Sequence, residues 1–449
     1  MALTAITRGQ TETIGVDLKL ETGGALSGLL VDATDHGIVV VADSIPYVFS
    51  WGELEAGTAY VVKRDWLALQ RGGSQHLTAE DHYQLGLYAI TRKRTDLSAS
   101  EFRKAESLDR TYRELAQLAF DEYRKKTRTA AKTGHIMASL GADDTPETDT
   151  RGDGSQRAEI ELSHNAVAEA FVSTTPRTRA QALEVYKTFG ERVRQLMARD
   201  LELIETDHFL IWTDWEKRSQ PRLSEWCESM YTALCDQFQI DPETNVFLAK
   251  CPVFCWRSRA RFIRFARNFD GYDGRNAVGY SRSIQANGHV HLVLVRVGRS
   301  PEDYYRFACT LVHEGTHAFL HRFHTTKLIP HWVNEGFADL MAARVLGSRC
   351  PNAGNAALLA AVYVRYDWPI DDLIRNAGPI EVYQYPLAHS IVAFQGSLGS
   401  ERFAGFIKSL KDGESIAQAL AANYEGITPA ELEKRWRSAV REGLPMYDR

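Results

Sequence analysis

Short runs of alternating or β-rich residues occupy the first 75 positions of the chain. Turn-forming clusters such as Thr22-Gly23-Gly24 separate the runs, which is typical of short strands joined by tight turns. Residues 1–75 are therefore predicted to form a small SH3-like or Sm-like all-β barrel. Such a barrel binds a protein partner or serves only as an accessory domain. The five predicted strands are Thr13–Leu20, Leu26–Val31, Gly37–Val41, Tyr47–Trp51 and Ala59–Val62.

The spacing of apolar positions becomes helical after residue 76. Residues 79–127 predict two helices, with Ser98 as the N-cap of the second. Their pattern is similar to a tetratricopeptide-type (TPR-like) helical pair, so we assign residues 76–140 to a helical segment that acts as a spacer or a docking surface. Residues 141–158 contain no large apolar side chain and are rich in Asp, Thr and Gly. That composition predicts a flexible linker and the main domain boundary.

Strands and helices are mixed in the predicted order of residues 159–449, which indicates an α+β domain. The histidines at 289 and 291 alternate with apolar residues and are predicted to be exposed cross-strand partners. An arginine-rich segment at 256–267 is predicted to be a solvated amphipathic helix rather than a nucleic-acid or membrane surface. The predicted helices are 178–200 and 221–239, and the strands are His208–Thr213, Asn245–Phe254 and Gly288–Val297.

A helix with candidate metal chemistry follows the last of these strands. Ser300 and Pro301 have the residue types of an N-cap and a first helical position. The predicted helix then carries an H-E-x-x-H motif formed by His313, Glu314 and His317. Residues four apart lie on one helical face, so both imidazoles can reach one metal ion, while Glu314 flanks that face as a candidate general base.

The class of such a site depends on the third protein ligand. The metzincin pattern would need glycine and histidine where this chain has Leu320 and Phe323, so that class is excluded. A glutamate from the next helix is the other solution, and Glu335 lies 335 − 317 = 18 residues after His317. Asp339 lies on the same helical face as Glu335 and is predicted to accept a hydrogen bond from a ligand histidine, with His313 as the first candidate.

The H-E-x-x-H motif followed by N-E-G-x-A-D resembles the gluzincins, the thermolysin-like zinc metallopeptidases of the MA clan. The resemblance covers residues 285–442 and implies a gluzincin-type peptidase domain within 159–449, binding one Zn²⁺ per chain. It further implies an edge strand at 288–297 that pairs with extended substrate. A tyrosine or histidine beyond the glutamate helix would be the oxyanion donor; Tyr385 is the first candidate, before Tyr383 and His389. The implied ligands are His313, His317 and Glu335, with Glu314 as the base and Asp339 behind a ligand histidine.

Composition narrows the function classes further. The formal net charge of −5 argues against binding of nucleic acid driven by phosphate neutralisation. No apolar run approaches the roughly 20 residues of a membrane span. The six cysteines are too few for a disulfide scaffold of this size and are predicted to be reduced core thiols. With no signal peptide visible at the start, these features favour a cytoplasmic protein.

The sequence therefore predicts a zinc-dependent metallopeptidase that hydrolyses peptide bonds in peptide or protein substrates. No exopeptidase element of the GxMEN type precedes the H-E-x-x-H helix, which favours a metalloendopeptidase over an aminopeptidase. The alternative from another class is a catalytically inactive, zinc-stabilised scaffold that acts in protein–protein interaction. Glu314 weighs against the scaffold, because a structural metal site has no need of a general base.

Overall fold

The structure, a computed structural model, divides the chain into two units, Met1–Arg151 and Gly152–Arg449. The division falls within residues 141–158. The predicted linker lies outside the described residues and stays a prediction. The described residues are 5–8, 11–33, 37–43, 45–121, 123–124, 168, 171, 173, 175–284, 287–347, 350–365, 367–381 and 384–443.

The first unit contains an antiparallel five-stranded sheet in which every strand pairs with its neighbour in sequence. This order follows from the tight turns between the strands, so the predicted small N-terminal sheet is confirmed. The strands are β1 (Ala5–Arg8), β2 (Thr11–Lys19), β3 (Ala25–Ala33), β4 (Gly37–Ala42) and β5 (Ile45–Ser50).

The strand predicted at Ala59–Val62 is wrong, because these residues belong to helix α1 (Ala56–Gln70). Ala59, Val62 and Trp66 are spaced three and four residues apart and pack against the sheet. This helical periodicity extends over the whole of α1 and outweighs the local β propensity of four residues.

Two further helices of the first unit are α2 (Ala79–Thr91) and α3 (Thr95–Leu108), and residues 112–121 are also helical. Thr78 caps α2 in a capping box with Asp81. The predicted cap at Ser98 is wrong, since α3 begins three residues earlier and the Ser98 side chain is buried within it. Two helices do lie within 79–127, as predicted, and their TPR-like character stays a prediction.

A buried carboxylate, Glu101, joins the helices of the first unit. It accepts hydrogen bonds from the Tyr60 hydroxyl at 2.6 Å and the Lys104 ammonium at 2.7 Å, and contacts His82 Nδ1 at 2.5 Å. Burial acts to raise the pKa of Glu101, but Lys104, Tyr60 and His82 together lower it. The charged carboxylate is therefore the stable form in the folded unit.

We expect Glu101→Gln to lower the free energy of unfolding by on the order of 2 kcal/mol at neutral pH, because it removes charge-assisted hydrogen bonds. A lowered carboxyl pKa contributes stability above the unfolded value, about 4.3, and that contribution disappears as the pH falls through the folded pKa. Urea unfolding at pH 7 and at a series of values down to about pH 3 measures both effects. The exposed Glu114→Gln is the control, and equal stability of the two variants at pH 7 would contradict the expectation.

The second unit is built on a mixed five-stranded sheet with the order β6-β7-β8-β10-β9. The central strands β7, β8 and β10 are parallel, and the two edge strands run antiparallel to their neighbours. The strands are β6 (Glu202–Glu205), β7 (Phe209–Thr213), β8 (Cys251–Trp256), β9 (Gly279–Ile284) and β10 (His289–Val295).

Helices cover both faces of this sheet, which confirms a mixed α+β fold. Helices α4 and α6 contribute Tyr186 and Phe265 to a core that also contains Phe254 of β8. Within the described ranges, no helix has both the length and the apolar character needed to cross a membrane. The helices are α4 (Arg179–Met197), α5 (Gln220–Phe238), α6 (Arg259–Asp270), α7 (Pro301–Arg322), α8 (His331–Leu346), α9 (Pro351–Arg365), α10 (Asp371–Arg375), α11 (Tyr385–Ser397), α12 (Ser400–Asp412), α13 (Ile416–Asn423) and α14 (Pro429–Arg441).

Strand β10 differs from its prediction in both position and exposure. It lies inside the sheet between β8 and β9, so the edge strand expected at 288–297 is β9 instead. The side chains of His289 and His291 are buried rather than exposed. His289 Nδ1 lies 3.0 Å from the Tyr186 hydroxyl, and His291 Nε2 lies 3.0 Å from an Asp270 carboxylate oxygen. These partners account for two polar rings inside the core.

The cysteines also depart from the predicted pattern of reduced thiols. Cys309 and Cys350 form a disulfide, whereas the other four are free and buried. The two partners are 41 residues apart, and sequence alone does not show that the fold brings them together. Disulfides persist mainly in oxidising compartments, so this bond gives no support to the cytoplasmic expectation.

Candidate metal centre

Helix α7 begins as its sequence predicts. The Ser300 hydroxyl accepts a hydrogen bond from the Asp303 backbone N–H, and the Asp303 carboxylate accepts one from the Ser300 backbone N–H at 2.8 Å. Pro301 occupies the first turn, where its missing N–H is not needed. This cap sets the residue at which α7 begins, and the helical repeat from there determines the face on which His313 and His317 lie.

Helix α8 brings Glu335 towards those histidines. The next residue, Gly336, explains how α8 is held there, because a Cβ at this position would lie 2.5 Å from the Ala388 carbonyl oxygen of α11. Only glycine permits this close crossing of backbones. The crossing also places Tyr385, at the start of α11, beside the N-terminal turns of α8, where Glu335 lies.

The nitrogen and oxygen atoms of three side chains converge between α7 and α8. His313 Nε2 and His317 Nε2 lie 3.1 Å apart. Glu335 Oε2 lies 3.4 Å from the His313 nitrogen, and Glu335 Oε1 lies 3.5 Å from the His317 nitrogen. One ligand atom from each residue lies within 4.8 Å of the others, so the group is positioned to hold a metal ion.

A hydrogen bond behind this group fixes the tautomer of one ring. Asp339 Oδ1 lies 2.9 Å from His313 Nδ1. A carboxylate accepts, so Nδ1 carries a proton and Nε2 is the nitrogen that faces the converging atoms. Burial disfavours a charge on His313, but the carboxylates of Asp339, Glu335 and Glu314 raise its pKa well above the usual value. A metal ion must therefore displace a proton here.

The charged groups of the centre also shift the pKa values of Glu335 and Tyr385. Burial acts to raise the pKa of Glu335, but His313 and His317 lower it well below the usual range, so the carboxylate stays charged. Burial, with the carboxylates of Glu335, Asp339 and Glu314, raises the pKa of Tyr385 to about 12. The phenol therefore keeps its proton at neutral pH and remains a hydrogen-bond donor.

Glu314 lies on the side of α7 that faces strand β9. A Cβ at Gly279 of β9 would meet Thr310 Cγ2 at 2.6 Å and Glu314 Cγ at 3.4 Å, so the glycine allows the strand to pass close to the helix. Within the described ranges, the Glu314 carboxylate forms no ion pair. It is thus a half-buried carboxylate beside the converging ligand atoms.

His331 is a residue of the centre that the sequence analysis missed. Its Nδ1 accepts a hydrogen bond from the Ile380 backbone N–H at 3.2 Å, so a neutral ring carries its proton on Nε2. This Nε2 lies 3.3 Å from a Glu335 oxygen, and the ring centroid lies 5.9 Å from that of Tyr385. His331 is therefore a donor beside the group and not a fourth ligand. The signal was its position four residues before Glu335, on the same helical face.

The remaining candidates of the sequence analysis lie elsewhere. His389 is fully buried inside α11, and burial lowers its pKa to about 4. Tyr383 lies outside the described residues. His324 contacts an Asp412 oxygen at 2.8 Å, and His321 is buried one turn beyond His317. The structure thus brings together His313, His317, Glu335, Asp339 and Tyr385, with Glu314 on the adjoining face; their chemical roles stay predictions.

Comparison with models of known families and with curated proteins produced no match to this chain.

Proposed function

We propose that this protein is a zinc-dependent metallopeptidase of the gluzincin type, which binds one Zn²⁺ per chain and hydrolyses internal peptide bonds. The convergence of His313, His317 and Glu335 is the observation that carries the proposal. Two histidines and a glutamate with an open position form a known catalytic zinc set. Asp339 fits the same chemistry, since a carboxylate behind a ligand histidine orients the ring and raises its basicity.

A zinc ion held by these residues would supply Lewis-acid activation of a water molecule and of a peptide carbonyl. Glu314 is the proposed general base. It lies next to His313 in sequence and is half-buried, and its carboxylate is not committed to an ion pair with any described residue. It takes the proton from the attacking water and passes it to the leaving amine.

The developing negative charge on the carbonyl oxygen needs a hydrogen-bond donor. Tyr385 is the proposed donor, supported by its protonated phenol and its place beside Glu335. His331 offers a second N–H on the same side of the centre. We assign His331 to orienting the Glu335 carboxylate, because that is the group its Nε2 faces.

The roles of the two structural units are part of the same proposal. The five-stranded sheet of the first unit is proposed to be an SH3-like barrel that binds a protein partner, and α2 with α3 a TPR-like spacer. The second unit is proposed to be the peptidase domain. A cytoplasmic location is not part of the proposal.

Metal analysis combined with a cleavage assay tests this function. Purified full-length protein should contain about one zinc per chain and cleave members of a diverse peptide library. A chelator should stop cleavage and added zinc should restore it. Protein without stoichiometric zinc would sink the proposal, whereas bound zinc without any cleavage would favour the inactive scaffold.

We expect Asp339→Asn to weaken zinc binding by about 10- to 100-fold, because it removes the negative charge that supports His313. Competition against a chelator of known affinity measures this change. The exposed Asp372→Asn serves as the control and should bind zinc like the wild type. An unchanged zinc affinity in Asp339→Asn would show that the hydrogen bond contributes nothing to metal binding.

We expect Tyr385→Phe to lower kcat by about 100-fold with little change in zinc content, because it removes one donor to the transition state. Steady-state kinetics on a library-derived peptide measures the effect, with the exposed Tyr272→Phe as the control. A normal kcat in Tyr385→Phe together with a large loss in His331→Ala would transfer the donor role to His331.

A further inference from the structure

Three basic side chains lie near one another where helices α7 and α12 both end. They are His321 and Arg322, at the end of α7, and Lys411, at the end of α12. His321 is 4% exposed and Lys411 is 2% exposed. The Nε of Arg322 is buried without a hydrogen-bond partner. We refer to these three residues as the basic cluster.

No carboxylate neutralises the basic cluster within the described ranges. Lys411 Nζ donates to the Lys327 backbone carbonyl at 2.7 Å, and neither ring nitrogen of His321 has a hydrogen-bond partner of normal geometry. The adjacent acid, Asp412, contacts His324 instead, at 2.8 Å.

Buried charges without a counter-charge are costly, so proteins normally pair them. The pKa values of the basic cluster shift in the direction that this cost requires. Burial and the Arg322 charge lower the pKa of Lys411 to about 8. Burial, then Lys411 and Arg322, lower the pKa of His321 to about 4. Burial also lowers the pKa of Arg322 itself. A bound anion would oppose each of these shifts, because it stabilises the charged form of each group.

We propose that the basic cluster binds a small oxyanion, which is either a phosphate or a carboxylate. Arg322 offers a planar set of N–H donors, Lys411 an ammonium and His321 a ring N–H, which are the donors that oxyanions use. The inference rests on buried or half-buried basic groups that no described carboxylate neutralises. Only the route by which a peptide carboxylate would arrive draws on the proposed peptidase activity.

The location of the cluster suggests how a carboxylate could arrive there. Strand β9 runs along α7, with Gly279 beside Glu314 and the backbone of Ile284 near the His321 ring. The five residue steps of β9 from Gly279 to Ile284 span about 17 Å, so the strand reaches from the metal centre to the basic cluster. His321 itself is one turn, about 6 Å, beyond His317 along the helix. An extended peptide beside β9 could therefore carry an acidic group to the basic cluster, while free phosphate would enter alone.

Thermal unfolding of the full-length protein in the presence of anions tests the site. Inorganic phosphate and glutarate are titrated separately at constant ionic strength, with chloride as the balancing anion. We expect at least one of them to raise Tm saturably by about 2–4 °C. A response to phosphate alone identifies a phosphate site, and a response to glutarate alone identifies a carboxylate site. The absence of a saturable rise with both anions would overturn the proposal.

Matched variants distinguish the basic cluster from other anion effects, including binding at the metal centre. Lys411→Met should lose the anion response, while Lys408→Met, exposed on the same helix, should keep it. In chloride alone, Lys411→Met should be at least as stable as the wild type, because an unpaired buried charge is gone. Arg322→Gln should weaken the apparent anion affinity about tenfold, and it answers the same question if Lys411→Met does not fold. A wild-type response in both Lys411→Met and Arg322→Gln would exclude the basic cluster as the site.

Discussion

Replacing Glu314 with glutamine should reduce peptide hydrolysis by about 10²- to 10⁴-fold while leaving one zinc bound per chain. The size of the effect is that of a lost general acid–base catalyst. Glutamine has nearly the same shape but cannot take a proton from water. Zinc binding should persist because the three proposed ligands, His313, His317 and Glu335, are unchanged. The measurements are kcat on a cleaved peptide and zinc content of the same preparation.

The comparison variant is Glu302→Gln, an exposed glutamate in the first turn of the same helix. It changes net charge in the same way and should leave kcat and zinc content unaltered. If Glu314→Gln cleaves peptides as fast as the wild type, the proposed mechanism is wrong. If it loses zinc as well as activity, Glu314 acts on the metal site and its assignment as a base fails.

Removing the disulfide with Cys309→Ala and Cys350→Ala together should lower the free energy of unfolding by about 4 kcal/mol. The bond closes a loop across 41 residues, and opening it increases the conformational entropy of the unfolded chain. Because this loop contains His313, His317, Glu335 and Asp339, the variant should also hold zinc less firmly when partly denatured. Chemical unfolding of wild type and variant measures the difference.

A reducing agent provides an internal control for this prediction. It should lower the stability of the wild type towards that of the double variant and should leave the double variant unchanged. Equal stability of the oxidised wild type and the double variant would show that the bond does not constrain the unfolded chain.

Much of the candidate centre follows from short-range sequence patterns. Ser300 and Asp303 mark the start of α7, and the four-residue spacing of His313 and His317 puts both rings on one face. Glu335 could also be identified from sequence, because a turn after α7 returns the chain as a second helix. All of these are local features, and helices encode their faces locally.

The parts that sequence analysis missed depend on long-range arrangement. The sequence predicts an edge strand at 288–297, yet the order of parallel strands depends on how crossovers pack and not on any one strand's pattern. Gly279–Ile284, with its serines and a glycine, has little strand signal, although it forms β9. The Ile380 backbone N–H that fixes His331 comes from 49 residues away.

As the outer strand of its sheet, β9 pairs on one side only, with β10 among the described strands. On its other side no described strand occupies the main-chain groups, and an open strand edge can pair with the edge of another molecule, which is a route to aggregation. Arg282 is exposed in the middle of this strand. A charge at that position disfavours docking of a second sheet edge, so the strand can stay accessible in a concentrated solution without joining molecules into larger sheets.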